Sequence, residues 1–200
     1  MDALDAIRTR RSLRQLSDKP VPHEILDDLL ELAATAPAPH HTRPWRYVIV
    51  LPRSRERLIT AMGAAWRKDL ERDGHPAELI EKLLSKSRRQ IASAPALLLA
   101  CLTDEGLRRW PDERRERHEW AMAQQSAGAA MQNVMLAAHA MGLSSYWISA
   151  PLFAPEACAE ALALPDGYVA QAFIVVGYPE AGATAKPRAA ADLSKLVIER

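Results

Sequence analysis

Between Asp112 and Met141 the chain runs about thirty residues with no proline and one internal glycine, Gly128, and Gly142 follows where a helix would end. Trp120, Ala123, Ala127, Met131, Val134, Met135 and Ala138 recur along it at helical spacing. Because this stripe is rich in small side chains, a neighbouring helix can approach closely. The segment is predicted to be the central helix, around which the remaining elements must be arranged.

Those elements are shorter. Leu4 and Ile7 suggest a first helix, broken by Lys19-Pro20-Val21-Pro22. Pro22 opens a second, with Ile25, Leu29, Leu32, Ala33 and Ala36 as its apolar stripe. Prolines 37, 39 and 44 then define a loop. Trp45 to Leu51 reads as a strand, followed by a helix that Ser54 can cap and that carries Leu58, Ile59, Met62, Trp66 and Leu70. A helix after Pro76 carries Leu79, Ile80, Leu83, Leu84 and Ile91, and Ala94 to Leu102 reads as a buried strand. Past the central helix come a strand at Ser145 to Ile148, a short helix over Ala154 to Leu162 and a buried strand over Tyr168 to Tyr178. Four short strands without regular β-α alternation point to an α+β fold, a mixed β-sheet sandwiched by helices. Two hundred residues with no internal repeat predict one domain, 1–200. The last twenty residues form an arm with Leu193, Leu196, Val197 and Ile198, which cannot bury these side chains alone, so a homodimer with the arm wrapped around the partner is expected.

Composition restricts the chemistry. Lys plus Arg number 26 against 25 Asp plus Glu, so no bulk basic field favours nucleic acid or an anionic membrane. The 8 glycines include no G-x-G pair and none before Lys-Ser or Lys-Thr, which excludes the glycine-based dinucleotide and nucleotide loops. A phosphate, if bound, must be held by side chains. Cys101 and Cys158 form no C-x-x-C pair and read as buried thiols of a reducing compartment. The N-terminus has no apolar signal core, and the longest apolar run is far short of the roughly 18 residues of a span, so a cytoplasmic location is expected.

Three groups can carry chemistry. Arg8, Arg10, Arg11 and Arg14 with Ser12 follow the first helix; guanidinium forks and a hydroxyl suit a phosphomonoester, although an arginine-rich turn is also an ordinary solvated face. Lys186-Pro187-Arg188 places two cations at a stiffened spacing in the arm, with an exposed linker as the bland reading. The proline-restricted loop presents His40, His41, Thr42 and Arg43. Adjacent histidines rarely face one ion, and no carboxylate cluster accompanies them, so no metal site is expected. Trp45 and Trp147 read first as core, His139 as a packing or hydrogen-bonded residue, and Gln124, Gln125 and Asn133 as polar residues of undetermined face.

The ordered segments Arg-Arg-Ser-x-Arg, a proline-rich loop closing in Pro-Trp, Gly-Leu-x-x-x-Trp-Ile, Val-Val-Gly-Tyr-Pro and Lys-Pro-Arg together resemble the flavin-dependent nitroreductase superfamily, over residues 6 to 197. A narrower likeness is to the C-terminal, flavin-binding domain of FbiB-type proteins of deazaflavin coenzyme F-420 biosynthesis. It lies in APAPHHTRPWR, in Trp66-Arg67-Lys68-Asp69-Leu70 with Gly74, and in Gly142 to Ile148. Ordinary members carry Asn and Gln where this chain has His41 and Arg43. The ligase domain of the two-domain proteins is not in these 200 residues, so a glutamate ligase would be a separate partner.

The resemblance implies FMN as cofactor. Its phosphate would be held by Arg10, Arg14 and Arg188, with Arg11, Ser12 and Lys186 nearby and the backbone of Ile148, Ser149 and Ala150 beside the ring. His40, His41, Thr42, Arg43 and Trp147 would frame the substrate, with His41 or Tyr146 as candidate proton donors. The implied activity is an FMN-dependent oxidoreductase acting on a small molecule, most specifically reduction of dehydro-F-420-0 to F-420-0. A general NAD(P)H-dependent nitroreductase or quinone reductase is the second reading, and a non-catalytic flavin- or deazaflavin-binding module the third.

Overall fold

The computed structural model describes residues 1–200. Six α-helices and four strands follow in the order α1 (Ala3–Thr9), α2 (His23–Ala33), β1 (Trp45–Ile49), α3 (Pro52–Arg72), α4 (Ala77–Ala92), β2 (Ala96–Leu102), α5 (Glu113–Ala140), β3 (Ser144–Ile148), α6 (Pro155–Leu162) and β4 (Val169–Gly177). One four-stranded sheet runs β1-β2-β4-β3 with antiparallel neighbours, and its one parallel contact is the isolated Ser12–Ser145 bridge. Helices cover both faces, as the α+β reading expects.

The alternation of β2 divides the core. Leu98, Ala100 and Leu102 meet α2 and α5 on one face, while Leu97, Leu99 and Cys101 meet α3 and α6 on the other. Every β2 residue is buried, and each large side chain removed from water contributes about 1.5–3 kcal/mol. In β4, Ile174 and Val176 join the first face, Phe173 and Val175 the second. A bulge opposite Ala100 and Cys101 makes Gln171 the extra residue, returning Ala170 to the second face. Its buried amide donates to the Val169 and Ala170 carbonyls, each at 3.2 Å.

The central helix is α5, 28 residues long, capped by Asp112 Oδ1, which accepts from the Arg115 N–H at 3.0 Å. Ala123, Ala127, Ala130, Met131, Val134 and Ala138 are buried along it, and α2 packs across this small-residue stripe. Buried Glu119 accepts from the Arg108 N–H and the Trp110 indole, tying the 104–112 linker to the helix.

Three expectations need correction. Helix α2 buries Leu26, Leu29 and Ala33, whereas Leu32 is 42% exposed, because it sits about a quarter-turn off the face those three residues define. Ser54 is not the cap of α3: the helix starts at Pro52, which needs no N–H partner, with Leu51 in the cap position. Trp66 does not belong to the α3 core stripe; it is 36% exposed at the rim of a cavity.

Candidate functional site

After α1 the chain extends and is stitched into the sheet margin. Ser12 bridges to Ser145 and Leu16 to Pro179, while the Ser17 N–H donates to the Tyr178 carbonyl at 2.9 Å and the Glu180 N–H to the Gln15 carbonyl at 3.1 Å. This fixes the Arg-Arg-Ser-x-Arg segment beside the start of the arm. The two basic motifs, more than 170 residues apart in sequence, therefore share one groove of about 450 Å³. Arg10, Arg11, Ser12, Arg14, Lys186 and Arg188 all line it. Gln15 and Thr184, which sequence reasoning did not single out, add polar groups.

The groove is an electrostatic misfit by itself. Arg188 Nη2 donates to the Arg10 carbonyl at 3.0 Å, which brings the arm cation against the first motif. Burial, and then the Arg188 and Arg11 charges, depress the Arg10 pKa. Arg10 Nη1 is buried with no hydrogen-bond partner. An unpartnered buried donor among like charges is costly, and an anion in the groove removes both costs. Arg11 is occupied differently: its Nη1 donates to the Arg8 and Arg10 carbonyls at 2.8 and 2.9 Å, closing the end of α1. The Arg14 guanidinium lies 5.3 Å from the centre of the Tyr146 ring, linking the groove to β3. Burial raises the Tyr146 pKa, with Arg14 opposing it, so the phenol keeps its proton at neutral pH.

The other candidate residues occupy different places. His40, His41 and Arg43 are exposed on the loop before β1, all three with left-handed backbone at φ 54°, 55° and 47°. Thr42 Oγ1 donates to the Pro39 carbonyl at 3.0 Å, and Arg46 donates to the Arg43 carbonyl at 2.9 Å while pairing with Glu105 at 2.6 Å. The loop lies against α5, outside the arginine groove. Trp147 is half-buried against the α2–α5 face of the sheet, its indole Nε1 without a partner. Asn133 Nδ2 donates to the Leu32 carbonyl at 3.3 Å and so serves the end of α2, His139 Nε2 lies 2.8 Å from Thr9 Oγ1, and Gln124 and Gln125 are exposed.

Ser149 and Ala150, which follow β3, line a second cavity of about 520 Å³ between α3, α4 and the 3-10 turn Ala150–Phe153. Sequence reasoning missed this cavity and its rim residue Phe153. A stripe of helical apolar residues does not reveal which of its members stop short of the core.

No helix is long and apolar enough to cross a membrane. The model of the nitroreductase family matches residues 7–178. A nitrobenzene nitroreductase of Ectopseudomonas oleovorans is 30% identical over 225 aligned positions, covering 98% of this chain and 93% of the relative. Among solved structures, a BluB-like flavoprotein from Clostridium difficile 630 superposes with a TM-score of 0.81 at 18% identity, covering 100% of this chain and 99% of the other. An FMN- and NADPH-dependent nitroreductase, NfnB, from sphigopyxis sp. strain HMH gives 0.75 at 20% identity, with 100% and 99% covered. At these identities the two structures establish the fold.

Proposed function

Because the chain belongs to the nitroreductase family, we propose that it is an FMN-dependent oxidoreductase that takes electrons from NAD(P)H and reduces nitroaromatic or quinone acceptors. The observation that carries this reading is the arginine groove, where the unpartnered Arg10 Nη1 and the crowded Arg10, Arg11 and Arg188 charges suit a dianionic phosphate. When bound, FMN supplies the hydride chemistry. The protein's own part is to hold and orient it. Arg10 and Arg14 would hold the phosphate with guanidinium forks, Ser12 would add a hydroxyl, and Lys186 and Arg188 would close from the arm, since all five line the one groove. The backbone at Ile148, Ser149 and Ala150 would lie beside the ring edge. Tyr146, which stays protonated, and His41 are the candidate proton donors to the reduced acceptor.

The chain acts as a homodimer in this reading, with residues 1–200 as one FMN-binding domain. Leu193, Leu196, Val197 and Ile198 are 55–78% exposed, and β1 leaves its outer edge unpaired, so both arm and sheet margin lack partners within one chain. An elution volume equal to that of a monomer would overturn the dimer. The two buried free thiols suit a reducing cytoplasm.

A narrower acceptor is favoured by the loop, where His40, His41 and Arg43 are all exposed and offer hydrogen-bonding groups suited to carboxylate and phosphate oxygens. This fits reduction of dehydro-F-420-0 to F-420-0, with any glutamate ligase a separate protein. The deciding experiment purifies the protein, identifies its bound flavin by mass and supplies NAD(P)H with either nitrobenzene or dehydro-F-420-0. Gain of two hydrogens on the second substrate, with poor turnover of the first, selects the narrower reading. Turnover of nitrobenzene alone selects the general one. Flavin retained without any electron exchange leaves a binding module, and a protein with no flavin affinity overturns all three.

A further inference from the structure

The cavity beside Ser149 and Ala150 differs in chemistry from the arginine groove. Helices α3 and α4 form an antiparallel hairpin turned at Gly74, whose φ of 76° favours glycine. Two ion pairs join the helices at opposite ends of the hairpin, Arg88 to Glu56 at 2.9 Å and Arg67 to Glu81 at 2.6 Å. Met62 and Ile91 make a buried apolar floor. At the rim stand two aromatic rings that the fold leaves in water, Trp66 at 36% and Phe153 at 79% exposure.

Both arginines at the rim already have carboxylate partners. Arg72 is held by Asp69 at 2.7 Å and Arg88 by Glu56, which leaves the Asp73 carboxylate as the unpaired charge. An anionic ligand would have to compete with Asp69 and Glu56 for the two arginines and would meet the Asp73 carboxylate. A neutral ring would find an apolar floor and two aromatic faces in a volume of about 520 Å³, within the usual size of small-molecule pockets.

We propose that this cavity binds an uncharged planar aromatic molecule between Trp66 and Phe153, and that it is the subsite of the electron acceptor. The second half rests on the flavin reading, since Ser149 and Ala150 line the cavity and also stand at the expected ring edge. Anionic groups carried by the same acceptor would have to project away from Asp73.

The test uses saturation-transfer NMR with nitrobenzene and 4-nitrobenzenesulfonate as probes, on the wild type and on Trp66→Ala and Phe153→Ala, with FMN affinity measured in parallel. Nitrobenzene is expected to bind at least about tenfold more tightly than the sulfonate, and each variant to weaken it about fivefold or more while FMN affinity is unchanged. Phe153 is too exposed to support the core, so its variant carries the test if Trp66→Ala misfolds. In turnover, Phe153→Ala should raise KM for nitrobenzene with kcat unchanged. Equal binding of the two probes, or variants that bind nitrobenzene as the wild type does, overturns the cavity. Nitrobenzene binding by a protein that retains no FMN supports the cavity and overturns its acceptor role.

Discussion

Two hollows of similar size, about 450 and 520 Å³, lie in the same chain and are lined in opposite ways. The first gathers five cationic side chains with no carboxylate among its lining residues. In the second, the ion pairs leave an apolar floor and exposed rings. Affinity in the first must come from charge-assisted hydrogen bonds, which salt screens; affinity in the second must come from apolar contact, which salt leaves nearly untouched. In the proposed reading, a cofactor that stays and an acceptor that comes and goes would draw on different forces, one from each lining.

The largest expected effect breaks the first hollow alone. Replacing both Arg10 and Arg14 by alanine removes two charge-assisted contacts worth about 1.5–3 kcal/mol each, so FMN affinity by fluorescence titration should fall at least about 100-fold. Nitrobenzene binding should persist; flavin retention would show that the phosphate is held elsewhere. Next comes Arg55→Met, beneath the second hollow. Buried Arg55 donates to the Ala92 and Ala94 carbonyls at the end of α4, next to Ile91. Its loss should cost about 1–3 kcal/mol in urea unfolding and weaken the arene more than FMN.

Salt is the third lever. Raising NaCl from about 0.05 to about 0.5 M should weaken FMN binding roughly tenfold and nitrobenzene binding by less than about twofold. The smallest effect concerns His139. Burial, and then the Arg10 and Arg11 charges, lower its pKa. The unfolded chain therefore takes up this proton first, so the stability contributed is present above the ordinary imidazole pKa and is lost as pH falls through the folded value. Thermal unfolding between about pH 7.5 and 5.5 should fall less steeply for His139→Gln than for wild type. A phosphate beside Arg10 and Arg11 would offset part of their charge, so bound FMN should flatten the wild-type profile.

The two hollows were unequally legible in the amino-acid sequence. The arginine groove is built from two contiguous motifs whose residue types announce an anion, and the glycine deficit had already excluded a backbone cradle. That Arg188 meets Arg10 requires the pairing of residues 15–17 with 178–180, a long-range event that spacing does not encode. The apolar cavity was invisible because Trp66 sits in phase with Leu58, Ile59 and Met62; phase reports which side of a helix faces inward, not how far the neighbouring helix extends over it. Phe153 lies in a turn of four residues, too short to show any period. The α2 stripe erred in phase, since it was anchored on Ile25 whereas the buried face centres on Leu26, Leu29 and Ala33 and leaves Leu32 at its edge. The strand pattern transferred well because β2 is buried on both faces and bounded by Pro95 and Asp104.

The loop at His40, His41 and Arg43 holds three departures into left-handed backbone within four residues, interrupted only by Thr42 and made without a glycine. Each costs about 1–2 kcal/mol against an ordinary conformation, and prolines 37, 39 and 44 narrow the alternatives open to the unfolded chain. Time is where the consequence shows: a loop fixed in advance needs no rearrangement when a molecule meets it. Capture there is expected to follow one concentration-dependent phase set by diffusion and orientation, while glycine at position 41 would relax the backbone, raise stability and introduce a slower second phase.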